Sequence, residues 1–284
     1  MCPATEHEMT DYRFQDIVSG PDENINLALA ALLVAQDEYP DLDVDSYQQR
    51  VDAIAGRCSE QCGAHETVGE RVSTLNKVLF NQLAFRGDLE TFNDPRNSYL
   101  SDVLDRRLGI PISLSVLYME VGRRLDVRIF GISFPGHFLV RVCDSGEDLV
   151  LDPFTGGAVL ERRELLQRLA HFPAEQRLKW NMDELLQPAS RREILARMLR
   201  NLKSIYLGHE DFHRALRIVN SMLQITPDAA MDIRDRAFIH DQLDHVHAAA
   251  EDYERYLMLA GDSDDASYVK ERLGNLRRSV ARLH

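Results

Sequence analysis

His137 and Asp152 are the two residues of this 284-residue chain whose types and spacing could perform acid–base chemistry together. Residues 137–143 and 148–152 are rich in β-branched and apolar side chains, and each segment predicts a strand. The turn-forming sequence centred on residues 145–146 joins them into a hairpin. The sequence therefore places the histidine at the start of one strand and the aspartate at the end of the next.

The register of this hairpin decides whether the two side chains can meet. The turn pairs Cys143 with Asp148, which places Asp152 opposite Leu139. Because side chains alternate along a strand, His137 and Asp152 share one face and are diagonal neighbours within reach of a hydrogen bond. A histidine oriented by a carboxylate can serve as a general base. The alternative is a buried structural pair in which the histidine compensates the aspartate charge.

The elements that must position this pair are predicted to be helices and a further strand. Pro111 suits the first position of a helix over residues 111–125, because its missing N–H costs nothing there. Residues 127–134 predict a strand. Helical periodicity also runs from Asp22 to residue 83. The sequence therefore predicts an α+β fold with a helical N-terminal region and a small antiparallel sheet packed on the helix at Pro111.

From Ala189 onward the chain predicts only helices, and the pattern repeats every 34 residues. This is the period of tetratricopeptide repeats, although a plain helical subdomain remains the alternative. Matching positions include Tyr206 with His240, Ala215 with Ala249, Leu223 with Leu257, and Pro227 with Gly261. Two units are fewer than an independent solenoid needs, so we expect them to pack on the central domain. The predicted domains are a flexible N-terminus (1–20), a helical region with the core (21–188) and a tetratricopeptide-like module (189–284).

The charge distribution makes nucleic acid an unexpected partner. The formal net charge is −13, and residues 1–70 hold 15 acidic residues against 3 basic ones. An acidic face repels phosphate backbones. No apolar run approaches the roughly 20 residues that span a bilayer, and the first residues do not resemble a signal peptide. We interpret the four cysteines as reduced thiols, which predicts a cytoplasmic protein without membrane partners.

Three stretches together resemble a known family: DPRNSYLSDVLDRRLGIPISLSVLYMEVGRRL (94–125), GISFPGHFLVRV (131–142) and LDPFTGG (151–157). They are similar to the transglutaminase-like superfamily. More narrowly, they resemble its bacterial SirB-type branch, in which such a core is fused to tetratricopeptide-like helices. The resemblance covers most of the chain. It implies a Cys–His–Asp triad in which His137 and Asp152 match the histidine and the aspartate.

The nucleophile of that triad has no match. The resemblance places the cysteine position at or near Pro111, and no cysteine lies between Cys62 and Cys143. Ser113 and Ser115 lie in the first turns of the same helix. Ser113 could replace the thiol and form a candidate Ser113–His137–Asp152 triad. The alternative, which we favour, is that Ser113 caps local backbone groups.

Asn97 and Arg141 are further polar candidates for binding a ligand in the cleft. Either side chain could orient a carboxylate or simply satisfy a neighbouring group. The chain has no phosphate-binding glycine loop and no cluster with metal-ligand spacing, so we expect no cofactor and no metal.

Three functions are compatible with these residues. The favoured hypothesis is a non-catalytic protein that binds a protein or peptide partner, because the cysteine is missing and helical repeats suit extended segments. The second is a hydrolase or acyl-transfer enzyme that uses Ser113, His137 and Asp152. The third is a purely structural role for the histidine and the aspartate.

Overall fold

The computed structural model describes residues 12–63, 66–143, 148–261 and 263–283, and it confirms the predicted α+β fold. The α-helices are α1 (Phe14–Ser19), α2 (Leu27–Glu38), α3 (Val44–Ser59), α4 (Val68–Asn76), α5 (Leu100–Arg106), α6 (Pro111–Arg124), α7 (Arg162–Leu169), α8 (Ala174–Arg177), α9 (Met182–Leu185), α10 (Arg191–Gly208), α11 (Phe212–Ile225), α12 (Ala230–Gln242), α13 (Val246–Ala260) and α14 (Ala266–Leu283). The strands are β1 (Arg86–Gly87), β2 (Leu108–Gly109), β3 (Ile129–Ile132), β4 (Leu139–Cys143), β5 (Asp148–Asp152) and β6 (Ala158–Val159). In the described part of the chain, no helix combines the length and the apolar character needed to cross a membrane.

Within residues 1–20, which the sequence predicts to be flexible, the helix α1 occupies Phe14–Ser19. Residues 1–11 lie outside the described part, but α1 is helical and its Val18 is buried. The helix packs against α2 and α11. The Arg192 guanidinium of α10 also donates a hydrogen bond to the carbonyl oxygen of Val18 at 2.9 Å. This stretch is therefore part of the packed structure.

The helix α6 is the central element of the core. It begins at Pro111, as predicted, and residues 111–122 are all buried. It packs on α3 with one side and on β3 and β4 with another. The short strands β1 and β2, which the sequence did not predict, pair in parallel just before it. A Cβ at Gly109 would lie 2.8 Å from the Ser113 hydroxyl oxygen, so a glycine allows the start of α6 to approach β2 closely.

The sheet that carries the predicted hairpin has four antiparallel strands in the order β3-β4-β5-β6. The pairing of Cys143 with Asp148 and of Val140 with Leu151 confirms the predicted register, although the turn residues 144–147 lie outside the described part. One face of the sheet packs on α6. The other face packs on α7 and α9, where Leu139 and Val150 belong to a second apolar cluster.

The C-terminal helices form two hairpins, α10 with α11 and α12 with α13, and α14 packs on α13. The predicted contact with the central domain is present, because α10 packs on α2 and α6 and α11 packs on α1 and α2. The hydroxyl groups of Tyr99 and Tyr206 lie 2.8 Å apart in the buried boundary between the two regions. The two regions are therefore packed together continuously. Their division into residues 21–188 and 189–284 remains a proposal.

The Tyr99–Tyr206 contact makes this continuity testable. We expect Tyr206→Phe to lower the free energy of unfolding by about 1–2 kcal/mol, because it leaves the buried Tyr99 hydroxyl without its partner. Urea unfolding followed by circular dichroism would show one transition shifted as a whole. Tyr268→Phe, at a side chain that is 67% exposed, is the matched control and should change stability by less than about 0.5 kcal/mol. A shift confined to a separate second transition would contradict continuous packing.

Candidate functional site

His137 lies in a tight turn that ends two residues before β4. Its N–H donates to the carbonyl oxygen of Phe134 at 3.1 Å, and Gly136 adopts a φ angle of +68°. A Cβ at Gly136 would also lie 2.9 Å from the ring of Phe172, so both the backbone angle and the space favour glycine. Arg197 of α10 donates to the carbonyl oxygen of His137 at 2.6 Å. The turn and α10 together hold the histidine in place.

Asp152 ends β5 and is fully buried. Its Oδ1 accepts hydrogen bonds from Nε2 of His137 at 2.9 Å and from the N–H of Phe154 at 3.1 Å, and its Oδ2 accepts one from Arg168 at 2.7 Å. Burial raises the pKa of Asp152, but the interactions with His137 and Arg168 outweigh burial, and the pKa is lowered overall. Asp152 is therefore a charged carboxylate at neutral pH.

The hydrogen bond that the sequence predicted between His137 and Asp152 determines which ring nitrogen is available. When Nε2 donates to the carboxylate, Nδ1 of the neutral ring holds the free lone pair. Within the described residues, Nδ1 has no hydrogen-bond partner, and the side chain is 17% exposed. This arrangement can accept a proton from any group that reaches Nδ1.

The structure places Ser113 at a different junction from His137. The Ser113 hydroxyl donates to the carbonyl oxygen of Asn97 at 2.6 Å and accepts a hydrogen bond from the N–H of Ile110 at 3.1 Å. The side chain is fully buried, and the described residues include no hydrogen bond between Ser113 and His137. This is the backbone-capping geometry of the alternative interpretation. Both hydrogen bonds would have to break before the hydroxyl could attack an acyl carbon.

Asn97 has its side-chain amide engaged within the protein. Its Nδ2 donates to the Asp88 carboxylate at 3.0 Å and to the carbonyl oxygen of Thr91 at 2.7 Å, and its Oδ1 accepts from Arg106 at 3.0 Å. Hydrogen bonds from the hydroxyl and the N–H of Thr91 are the main cause that lowers the pKa of Asp88 to about 2. Asn97 therefore organises the loop before α5, and the structure gives no sign of a free amide for a ligand.

Arg141, which the sequence suggested as a ligand-binding residue, has its contacts within the protein. Arg141 donates to the carbonyl oxygen of Leu186 at 3.3 Å, and its Nε lies 3.6 Å from the Asp148 carboxylate. Arg168, which the sequence analysis missed, contacts Asp152 instead. It lies on α7 at a distance of 16 residues from Asp152, and no local pattern in the sequence links the two.

Phe154 is the second residue of the site that the sequence analysis missed. Its ring packs edge-on against the imidazole of His137, with ring centroids 5.8 Å apart. The backbone of Gly87 packs closely against another side of this ring, because a Cβ added at Gly87 would lie only 2.4 Å from it. Phe92, which is 47% exposed, packs edge-on against Phe154 at 6.2 Å. Aromatic side chains therefore border the histidine on this side. The signal that could have indicated them is the position of Phe154, two residues after Asp152 in the sequence.

Across residues 12–63, 66–143, 148–261 and 263–283, no group of three or more His, Cys, Asp or Glu side chains is arranged to hold a metal ion. The chemistry that His137 itself offers is acid–base chemistry, through the Nδ1 atom that its bond to Asp152 leaves available.

A second candidate surface lies between α12 and α14, and we call it the α12–α14 groove. It has a volume of about 380 Å³. Two aromatic side chains are exposed on it, Phe238 (42%) and Tyr268 (67%), beside the ion pair of Asp241 with Arg272 at 2.7 Å. Exposed aromatic rings next to charged groups are typical of surfaces that bind polypeptides.

The chain is similar to known protein families over most of its length. The sequence profile of the transglutaminase-like superfamily matches residues 45–200, and the tetratricopeptide repeat profile matches residues 202–274. The chain is 37% identical over 272 residues to a UPF0162 protein of Xylella fastidiosa, which covers 95% of this chain and 97% of that protein. It is 32% identical over 255 residues to a UPF0162 protein of Pseudomonas aeruginosa, covering 89% and 92%. The chain belongs to the UPF0162 family of transglutaminase-like proteins.

A shorter similarity links part of the chain to a mouse protein. The chain is 42% identical over 89 residues to the mouse F-box only protein 21, which covers 31% of this chain and 14% of that protein. No solved structure matches the chain.

The buried carboxylate predicts a pH-dependent contribution to stability. We expect Asp152→Asn to lower the free energy of unfolding by about 3 kcal/mol at pH 7, because the change removes a buried, paired charge. Folding lowers the pKa of Asp152. The stabilisation is therefore present above the ordinary aspartate pKa of about 4 and is lost as the pH falls through the lower folded-state pKa.

Urea unfolding of the wild type and the variant between pH 7 and pH 3 checks this expectation. The difference between the two proteins should shrink below about pH 4. Asp183→Asn, at a side chain that is 83% exposed, is the control and should have little effect at any pH. A difference that stays constant over the whole range would show that Asp152 is not charged in the folded protein.

Proposed function

We propose that the chain is a non-catalytic protein- or peptide-binding protein of regulatory or scaffolding type, built on a degenerate transglutaminase-like core. The observation that carries this proposal is the start of α6. The resemblance to the superfamily places the nucleophilic cysteine at or near Pro111, and proline has no nucleophilic side-chain atom. The nearest serine, Ser113, is buried and hydrogen-bonded to backbone groups on both sides.

The retained His137–Asp152 pair is compatible with a role in stability alone. Asp152 is fully buried, and removing one partner of a buried charged pair is strongly destabilising. Together with Arg168, the His137–Asp152 pair joins the turn before β4, the end of β5 and the helix α7. Its presence therefore needs no catalytic explanation.

The C-terminal module supports binding of a protein partner. Its helices match the tetratricopeptide repeat, and the α12–α14 groove exposes Phe238 and Tyr268. The order of a transglutaminase-like core followed by such helices also favours the SirB-type branch. We further propose a cytoplasmic location, because Cys58, Cys62 and Cys143 are free thiols, as a reducing compartment would keep them.

A hydrolase or acyl-transfer enzyme is the second candidate function. The available Nδ1 of His137, with Nε2 fixed by Asp152, favours it, since this is the orientation that a general base requires. The candidate nucleophile remains Ser113. That mechanism requires the first turn of α6 to rearrange so that the hydroxyl leaves Asn97 and reaches the imidazole.

Labelling with a fluorophosphonate probe separates the two functions. We expect the folded protein to remain unlabelled at Ser113, because the hydroxyl proton is held by the carbonyl oxygen of Asn97. Intact mass and peptide mapping would be read for the wild type, Ser113→Ala and His137→Ala, with a known serine hydrolase as the positive control. Labelling at Ser113 that disappears in both variants would favour the enzyme and overturn the non-catalytic proposal.

Partner capture tests the binding function directly. We expect the double variant Phe238→Ala, Tyr268→Ala to retain roughly tenfold less of a partner protein than the wild type, because two aromatic anchors are lost. The measurement is quantitative mass spectrometry of proteins retained from a lysate of the native cells. Leu178→Ala, at an 87% exposed side chain outside the groove, is the control and should retain as much as the wild type. Equal retention by all three proteins would contradict binding through the groove.

A further inference from the structure

A second, larger cavity lies beside the outer edge of the sheet, between the core and the beginning of the C-terminal helices. Its volume is about 780 Å³, which is within the range of ligand-binding sites. We call it the β3 cavity and define it by the residues that bound it: Met119, Arg123, Ile129, Phe130, Ala189 and Ile194. Neither His137 nor Asp152 lines it, so it is distinct from the site described above.

The edge strand β3 directs unused main-chain groups toward this cavity. The N–H of Cys143 on β4 donates to the carbonyl oxygen of Arg128 at 3.4 Å, so the even-numbered residues of this segment direct their main-chain groups toward β4. Main-chain groups alternate between the two sides of a strand. Ile129 and Gly131 therefore direct theirs to the opposite side, where the cavity lies.

Part of this edge is already paired in the way that an added strand would pair. The N–H of Ala189 donates to the carbonyl oxygen of Gly131 at 2.8 Å, and Pro188 forms an antiparallel bridge with Ile132. Among the residues that the structure describes, the N–H of Gly131 and both main-chain groups of Ile129 have no partner. Ile129, which is half-buried, thus offers its N–H and its carbonyl oxygen to another extended chain, whereas Gly131 is buried and already faces Ala189.

The charges and the apolar side chains around the cavity restrict what could pair there. Five carboxylates but only three guanidinium groups line it: Asp22, Glu23, Glu120, Asp126 and Glu193 against Arg123, Arg128 and Arg191. In the described part of the chain, Glu23 and Asp126 take part in no ion pair, whereas the buried Glu120 is paired with Arg123 at 3.1 Å. Met119, Ile129 and Phe130 provide an apolar wall beside them.

We propose that an extended segment of a partner protein, with alternating basic and apolar residues, adds to the outer edge of β3 as a fifth strand of the sheet. Main-chain hydrogen bonds to Ile129 hold the segment, and its basic side chains meet Glu23 and Asp126. The alternation follows from the strand period of two, which sends successive side chains to opposite sides. This inference rests on the proposed binding function and gives it a second, chemically defined docking site.

The probe for this site is the acetylated and amidated pentapeptide KVKVK, titrated into the uniformly ¹⁵N-labelled full chain and followed by NMR. We expect saturable shifts of the Ile129 and Gly131 amide signals. The acidic peptide EVEVE should bind roughly tenfold more weakly, because it meets an excess of carboxylates. A KVKVK peptide that is N-methylated at every residue should also bind roughly tenfold more weakly, because it lacks main-chain N–H donors from its residues.

Two variants at one position isolate the main-chain contact. Ile129→Pro removes the outward N–H without touching the bonds to β4, and proline is tolerated at such edge positions. Ile129→Ala removes the side-chain bulk but keeps the N–H. We expect the proline variant to bind KVKVK roughly tenfold more weakly than the alanine variant, followed at the Gly131 signal. Equal binding by the two folded variants, or no shift at Gly131 with millimolar peptide, overturns the inference.

Partner capture with the same variants separates this inference from the proposed function. A partner retained by Ile129→Pro but lost from the Phe238→Ala, Tyr268→Ala protein would overturn the β3 site and leave the binding function standing. A partner lost from Ile129→Pro and retained by Ile129→Ala would support the β3 site.

Discussion

A carboxylate that is completely shielded from water must be compensated from inside the protein, and Asp152 imposes this constraint on the structure around it. Three donors meet it: the imidazole of His137, the guanidinium of Arg168 and the N–H of Phe154. Each donor comes from a different element, namely the turn before β4, the helix α7 and the turn after β5. The hairpin register and the docking of α7 must therefore both be correct before the carboxylate is satisfied.

The start of α6 is a second buried place where polar groups must find their hydrogen-bond partners within the protein. Pro111 has no N–H to satisfy, the Ser113 hydroxyl oxygen accepts the N–H of Ile110, and the carbonyl oxygen of Asn97 accepts the Ser113 proton. The resemblance to the superfamily implies a nucleophile at or near this turn. Here its polar groups close the loop onto the helix instead, which explains how a helix with its first twelve residues buried can begin at this point.

The sequence was informative where a local pattern determines the structure. The turn after Cys143 set the pairing with Asp148, and the fixed φ of Pro111 marked the start of α6. Contacts between segments that are far apart in the sequence leave no such local pattern. Arg168 reaches Asp152 only after α7 docks, and Arg192 donates to the carbonyl oxygen of Val18 across 174 residues, so no local pattern could predict either contact. Strands of two residues, such as β1 and β2, are too short to show any alternation.

These constraints decide how much each feature says about function. His137 compensates the buried charge of Asp152 whether or not the pair catalyses a reaction, so their presence does not by itself indicate an enzyme. Evidence for catalysis would have to come from a nucleophile, and the Ser113 hydroxyl at the start of α6 is already engaged. Groups that folding leaves unused carry more functional information, because their interactions remain available to another molecule. Exposed rings in the α12–α14 groove and unpaired main-chain groups on β3 are such groups, and both are suited to binding a polypeptide.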